Sequence, residues 1–276
     1  MVGELLARCD FPAEPSRAAT VAFSGGPDSA ALLALAIAHG LDVTAVHVHH
    51  GLRASADDDA AAAARSAAAL GAGYRVEHVD VDDGPNLEAR ARTARHAALG
   101  PDAMFGHTAD DQAETLLLAL VRGSGATGLA AIRPGPQHPI LALRRADTVA
   151  VCQALHLAPV FDPTNTDRRF RRNRVRSELL PLLDDIGERD VTPLLERTAG
   201  LLRDDDDLLD QLAADLDPTD AVEISSAPAP LARRAIRRWL LRDGYPPDAA
   251  AVGRVLEVAA GRREACEVSG VGRVQR

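Results

Sequence analysis

A chain of 276 residues with 46% hydrophobic and 26% charged positions can bury a sizeable core, as one large or two ordinary globular domains. Its net charge of −9 argues against a generally basic nucleic-acid-binding surface, and no apolar run approaches the roughly 20 residues that cross a bilayer. The first ten residues lack a secretory signal, and Cys9, Cys152 and Cys266 are too dispersed for a zinc ribbon or iron–sulfur cluster; both fit a reducing, cytoplasmic setting with no membrane.

In chain order, strand-like runs at 19–23, 42–48, 74–81 and 102–106 alternate with helix-like runs at 28–39, 55–70, 86–99 and 109–121. That alternation predicts βαβ units, hence a doubly wound, Rossmann-like α/β fold with a parallel sheet. Ligands of such sheets bind beyond the carboxyl ends of the strands. Three segments fall on that rim: 24–29, 47–53 and 106–114.

The first rim segment carries the sharpest pattern, Ser24, Gly25, Gly26, Pro27, Asp28 and Ser29. A strand that turns through two glycines into a helix brings backbone N–H groups up to an anion with no Cβ in the way. Ser24 and Ser29 add hydroxyls, and Asp28 adds a carboxylate able to hold Mg2+ beside phosphates. No Gly-Lys-Ser/Thr follows, so the loop is not a Walker P-loop. At the second rim, His47 and His49 point the same way on a strand, but no Cys or clustered acid joins them, so a turn near a nucleotide is the better reading than a metal site. At the third, a helix starting near Thr108 places Asp111, Glu114 and Thr115 on one face, where acids suit Mg2+ or a cationic substrate.

Residues 123–138 read as a long Gly/Pro-rich loop or inserted hairpin, and helices are expected at 146–156 and at 172–183, the latter ending near Pro181. All 31 basic residues are arginine, and six of them stand at 168–176 with no acid among them, a patch suited to phosphates. A domain boundary is expected at 188. The following segment, 189–276, reads as mainly helical at 192–216, 229–242 and 247–260, with the acids 204–207 on a solvated face and 266–275 as a strand cut short.

The motifs SGGPDS (24–29), HHGLR (49–53), NLEARARTAR (86–95), GHTADDQAET (106–115), LVRGSGATGL (120–129) and DPTNTDRRFRRNRVR (162–176) together resemble the PP-loop ATP pyrophosphatase superfamily and, within it, the tRNA(Ile)-lysidine synthetase family. The resemblance implies a PP-loop domain over 1–188 and a tRNA-contacting domain over 189–276, abbreviated at its C-terminal end. It implies a ligase that adenylates the wobble cytidine of a CAU-anticodon isoleucine tRNA, releasing pyrophosphate from ATP. The ε-amine of free lysine then displaces AMP, and the codon read changes from AUG to AUA.

By the same resemblance, Asp28, Asp111, Glu114 and Arg92 are catalytic, with Asp28 on Mg2+. Ser24, Gly25, Gly26, Pro27, Asp28, Ser29, His47, Gly106 and Arg122 bind the nucleotide. Asp111, Glu114, Arg95, Asn173, Arg174 and Arg176 meet lysine or tRNA. His96 and His138 depart from the family pattern, which favours tyrosine and arginine there. A homodimer is compatible with the sequence. The competing readings are another PP-loop synthetase such as a tRNA thiolase, disfavoured by the dispersed cysteines, and a non-catalytic nucleotide-binding module, disfavoured by the intact Asp28, Asp111 and Glu114.

Overall fold

The computed structural model describes residues 2–14, 17–49, 56–79, 87–160, 166–241 and 247–276, the side chains of 56, 57, 87–89, 91 and 92 excepted. Two compact units divide at 199/200, inside one long helix rather than in a linker.

In the first unit β1 (Ala18–Ala22), β2 (Asp42–His49) and β3 (Gly73–His78) form a parallel sheet in the order β1-β2-β3. The expected fourth strand is reduced to one parallel bridge between Met104 and Val21, on the free side of β1. The Ala22 N–H donates to Met104 O at 2.9 Å and the Met104 N–H to Thr20 O at 2.8 Å. Pairing stops there because the next amide, Phe105, turns away to donate to Gln137 O. With Met104 outside β1, the spatial order runs 3-2-1-4, and the gap between β1 and the Met104 segment is the topological switch point where such folds bind ligands.

Helices α1 (Val2–Leu6), α2 (Pro27–His39), α3 (Ala56–Ala69), α4 (Leu87–Leu99) and α5 (Ala109–Val121) follow, of which α1 has no counterpart in the sequence reading. Residues 29–36 of α2 are all buried, wedged against β1, β2, α1, α3 and a later helix, α7 (Arg145–Ala154). Alanine at 30, 31, 34 and 36 permits that close approach, and the fully buried Leu32, Leu33 and Leu35 each contribute about 1.5–3 kcal/mol by leaving water.

The stretch 123–138 holds a short helix, α6 (Ala126–Leu129), and turns; no hairpin forms. Gln112 of α5 ties it down, its amide donating to Ile132 O at 2.9 Å and accepting from the Ile132 N–H at 2.7 Å.

The helix expected to end near Pro181 runs on. α8 (Arg171–Arg174) passes through a π-helical turn, Val175–Leu179, into α9 (Leu180–Gly187). Proline lacks an N–H and its ring crowds the carbonyl four residues back, here Ser177. Widening the turn clears that clash, with the Leu180 N–H donating to Val175 O. Ala113, Leu116 and Leu117 of α5 pack against Val175 and Leu180, and this contact fixes the arginines of the 171–187 helix opposite the acids of α5. Residue 55, where the second helix-like run begins, and residues 162–165 of the last motif lie outside the described residues.

The second unit begins within α10 (Thr192–Ala214) and continues with α11 (Ala221–Ser226), α12 (Ala229–Trp239) and α13 (Ala249–Ala259). The expected single cut strand is a hairpin: β4 (Ala265–Val268) pairs antiparallel with β5 (Gly272–Gln275). Cys266 and Val268 bury against a core that includes Val252, Val255 and Val258 of α13. The acids at 204–207 are not all solvated. Asp206 is fully buried and accepts from Arg234 at 2.6 Å, because Arg234 on α12 turns inward and also reaches Asp210 at 2.7 Å.

Candidate active site

The loop after β1 is held open by backbone geometry. Gly25 takes φ = 81°, and a Cβ there would meet Val160 at 2.9 Å. Gly26 is the N-cap of α2 with no side chain bonded to the helix end, and Pro27 takes the first turn, where its missing N–H costs nothing. Ser29 Oγ donates to Gly26 O at 3.0 Å and lies 3.2 Å from Ser24 Oγ. The result is a helix start with its dipole and first-turn N–H groups turned toward a serine-lined loop. His47 braces it from below: its Nδ1 is 3.0 Å from Phe23 O, and burial pushes its imidazole below the ordinary histidine range.

The third rim segment touches the first. A Cβ on Gly106 would lie 2.8 Å from Asp28 O and 3.0 Å from Ser29 N. Backbone meets backbone there, so no side-chain rotation relieves the clash. Gly106→Ala is expected to destabilise by about 1–3 kcal/mol, as overpacking does, and to displace Asp28. Gly253→Ala, in open space within α13, is the control and is expected to be neutral or stabilising; equal urea midpoints for both variants would overturn the argument.

From that contact the chain enters α5. Thr108 caps it, its N–H and Oγ both reaching Asp111 Oδ2 at 2.9 Å. One turn on lies Glu114, with no solvent exposure at all. Arginines fill the space between these acids and Asp28. Arg145, at the start of α7, donates from Nε to Asp28 Oδ2 (3.4 Å), from Nη2 to Asp111 Oδ1 (3.2 Å) and from Nη1 to Glu114 Oε1 (3.2 Å). Arg172 reaches Glu114 Oε2 (2.6 Å) and Asp111 Oδ1 (2.8 Å), and Arg176, one turn further, grips Glu114 through Nε (2.7 Å) and Nη2 (3.1 Å). Three carboxylates thus meet three guanidiniums. A second layer holds Arg145 in place, since Asp110 accepts from its backbone N–H at 2.7 Å and from Arg144 at 3.1 Å.

Within this cluster, Asp28 and Asp111 are pushed in opposite directions. Burial pushes the Asp28 carboxyl up, and Thr148 and Arg145 only partly offset this. Burial would raise Asp111 as well, but Arg172, Arg145 and the Thr108 N–H hold it below the ordinary carboxylate range. Asp111 is therefore a fixed anion and Asp28 a carboxylate short of positive charge.

Residues 3–183 match the PP-loop domain family, and residues 220–270 match the TilS substrate binding domain. A tRNA(Ile)-lysidine synthase of Nocardia farcinica is 47% identical over 243 residues, 82% of this chain and 76% of that protein. The enzyme of the same name from Mycobacterium tuberculosis is 44% identical over 245 residues, 82% of this chain and 75% of that one. The chain belongs to the tRNA(Ile)-lysidine synthase family. Among solved structures, a U34-tRNA thiolase of Methanococcus maripaludis superposes with a TM-score of 0.55 over 73% of this chain and 78% of that one; at 15% identity the likeness is one of fold.

Of the residues expected to serve a lysidine synthase, the structure gathers Ser24, Gly25, Gly26, Pro27, Asp28, Ser29, Gly106, Asp111, Glu114 and Arg176 around one switch point. His47 lies under the loop, bonded to the backbone. Arg122 is not brought there: it is exposed just past the last residue of α5, about 16 Å along the helix axis from Asp111. Arg95 is partly buried on α4; Arg92 lies on the same helix, its side chain outside the described residues. Asn173 donates to Asp167 O at 2.9 Å, and exposed Arg174 pairs with Glu178 at 3.2 Å. The six arginines of 168–176 are therefore not one phosphate patch, because Arg172 and Arg176 turn inward. His96 and His138 flank Phe105, with His138 Nδ1 3.1 Å from His107 Nδ1.

Sequence reasoning missed Arg145, Thr148 and the role of Arg172. Arg145 left one trace. A cation in the first turn of a helix opposes the dipole, and such a residue needs acids from elsewhere in the fold.

Proposed function

We propose that this chain joins free lysine to the wobble cytidine of a CAU-anticodon isoleucine tRNA, in the cytoplasm, splitting ATP to AMP and pyrophosphate. The observation that carries the reading is the junction at the switch point. An anion-binding loop and a buried carboxylate pair lie on either side of Arg145, so a phosphate chemistry and an amine chemistry share one wall. Membership of the family over most of the chain supports the substrate assignment.

In this reading the carbonyl oxygen on the cytosine ring attacks the α-phosphorus of ATP, and pyrophosphate leaves into the 24–29 loop. N–H groups at the start of α2, with Ser24 and Ser29, stabilise the charge that builds on it. The lysine ε-amine then attacks the same ring carbon, AMP leaves with the oxygen, and the amine loses its proton. Asp111 suits the capture of that amine as a cation rather than removal of its proton, since a carboxylate held low is a weak base. Arg168, Arg169, Arg171 and Arg174 remain outward for the tRNA backbone, and the match over 220–270 supports a tRNA-contacting role for the second unit. The codon read would change from AUG to AUA.

Mg2+ fits Asp28 on donor chemistry. Its carboxylate is half-buried and short of positive charge, and among the described residues Oδ2 has only the 3.4 Å contact to Arg145. Among the described residues no cluster of three or more His, Cys, Asp or Glu suits a metal, so the remaining ligands would be phosphate oxygens and water. Such an ion supplies charge neutralisation at the phosphates. The thiolase alternative draws no support from the thiols, because burial pushes Cys9 and Cys152 up to about 11.

The test is incubation with ATP, Mg2+, labelled lysine and an isoleucine tRNA bearing CAU. Label is expected on the tRNA and absent when ATP is withheld. Pyrophosphate exchange with a different acceptor, and no label on this tRNA, would overturn the reading.

A further inference from the structure

The acceptor capacity of the carboxylate pair is already used up. A carboxylate offers about four lone-pair sites. Glu114 takes four donors, one from Arg145, one from Arg172 and two from Arg176. Asp111 takes two from Thr108 at Oδ2 and one each from Arg145 and Arg172 at Oδ1. An ammonium arriving at this pair finds three guanidiniums and no open acceptor, so one donor has to leave first.

Arg145 is the one placed to leave. Its hydrogen bonds, 3.2, 3.2 and 3.4 Å, are the longest of the three and spread over three acids, whereas those of Arg172 and Arg176 span 2.6–3.1 Å, Arg176 approaching Asp111 only at 4.0 Å. Its departure opens one acceptor site on Asp111 and one on Glu114 together. Among the described residues it is also the one arginine paired with Asp28, at the edge of the anion-binding loop. A triphosphate there offers denser negative charge than one half-buried carboxylate, and guanidinium forks favour phosphate oxygens.

We propose that Arg145 is a charge-controlled gate: it fills the lysine site until ATP phosphates at 24–29 draw it out, so that lysine binding depends on nucleotide binding. This rests on the reading of Asp111 and Glu114 as the lysine site, and it adds an order of binding and a positioning residue.

The experiment is calorimetric titration of lysine into the full chain in Mg2+ buffer, with and without an ATP analogue bridged by methylene between the α- and β-phosphorus. The wild type is expected to bind lysine about 10-fold more tightly with the analogue, within the usual range of coupling between sites, and lysine is expected to tighten analogue binding by the same factor. In Arg145→Ala, lysine should bind without the analogue as tightly as the wild type does with it, leaving a ratio under about 2-fold. Equal lysine affinity of the wild type in both conditions, or an undiminished ratio in Arg145→Ala, overturns the gate. If that variant does not fold, the wild-type ratio alone decides, with Arg145→Lys as the second variant expected to lose most of it. Failure of the underlying reading looks different. In that case wild-type protein transfers no lysine to the tRNA, whereas a failed gate leaves transfer intact and the two ligands binding independently.

Discussion

Glu114→Ala is expected to be among the most destabilising single substitutions in the first unit. The side chain has no solvent exposure and accepts from three guanidiniums at 2.6–3.2 Å. Removing one partner of a buried ion pair leaves the others uncompensated and typically costs about 3–5 kcal/mol. Against a total stability of roughly 5–15 kcal/mol, that places the variant near its unfolding threshold at ordinary temperatures. Glu114→Gln is expected to lose nearly as much, because its amide N–H groups would face guanidinium N–H groups. Urea unfolding reads the effect. A loss under about 1 kcal/mol, the scale of an exposed pair, would show that the cluster is solvated rather than buried. Where the variant is still folded, it should retain pyrophosphate exchange into ATP and lose lysine transfer, and equal loss of both would sink that division between Asp28 and Glu114.

How much of this was legible in the sequence depended on the range of the interaction. The α2 and α5 helices, their starts at Pro27 and Thr108 and the strand that precedes the phosphate loop were readable because caps, glycines and apolar periodicity act within a few residues. The fourth strand is shorter than its sequence suggests because its length is set by where the Phe105 amide finds a carbonyl, and Gln137 lies 32 residues away. The helix at 171–187 outruns the end that Pro181 sets for an ordinary helix, because the π turn that absorbs the proline depends on packing against α5. The site shows the same division. Asp28, Asp111 and Glu114 announced themselves by residue type at the starts of helices. That three arginines from two other segments neutralise them required the fold, and it alters what the acids can do: they form a filled salt cluster that a substrate must enter by exchange. The run at 168–176 looked uniform as a string of letters. Helical spacing splits it, sending Arg172 and Arg176 to Glu114 while Arg168 and Arg174 pair with Glu178.

Asp28→Asn is expected to separate function from stability. On the functional side, the neutral amide removes the carboxylate that the phosphate loop carries, and the ATP-dependent step should fall by on the order of 10²–10³-fold, the scale seen when one electrostatic contact to developing charge is lost. On the stability side the sign is reversed. Burial raises the folded-state pKa of Asp28 above its unfolded value, so the folded state binds its proton more tightly. That preference favours folding at low pH and is lost as pH rises through the folded-state pKa, so at neutral pH the ionised group is a net cost to folding. Asparagine keeps the shape and the acceptor for Thr148 without the charge. The variant should therefore be no less stable than wild type at pH 7, and its advantage should shrink as pH falls toward the ordinary carboxylate range. Asp111 behaves in the opposite sense: its lowered pKa contributes stability above the unfolded value that is lost as the pH drops through the folded one. Pyrophosphate exchange with the tRNA present, set beside urea midpoints at pH 4 and pH 7, measures both halves. Exchange within a few-fold of wild type would remove Asp28 from the ATP step. A variant less stable at pH 7 than at pH 4, relative to wild type, would mean that Arg145 and Thr148 outweigh burial and that the carboxylate is held for structure.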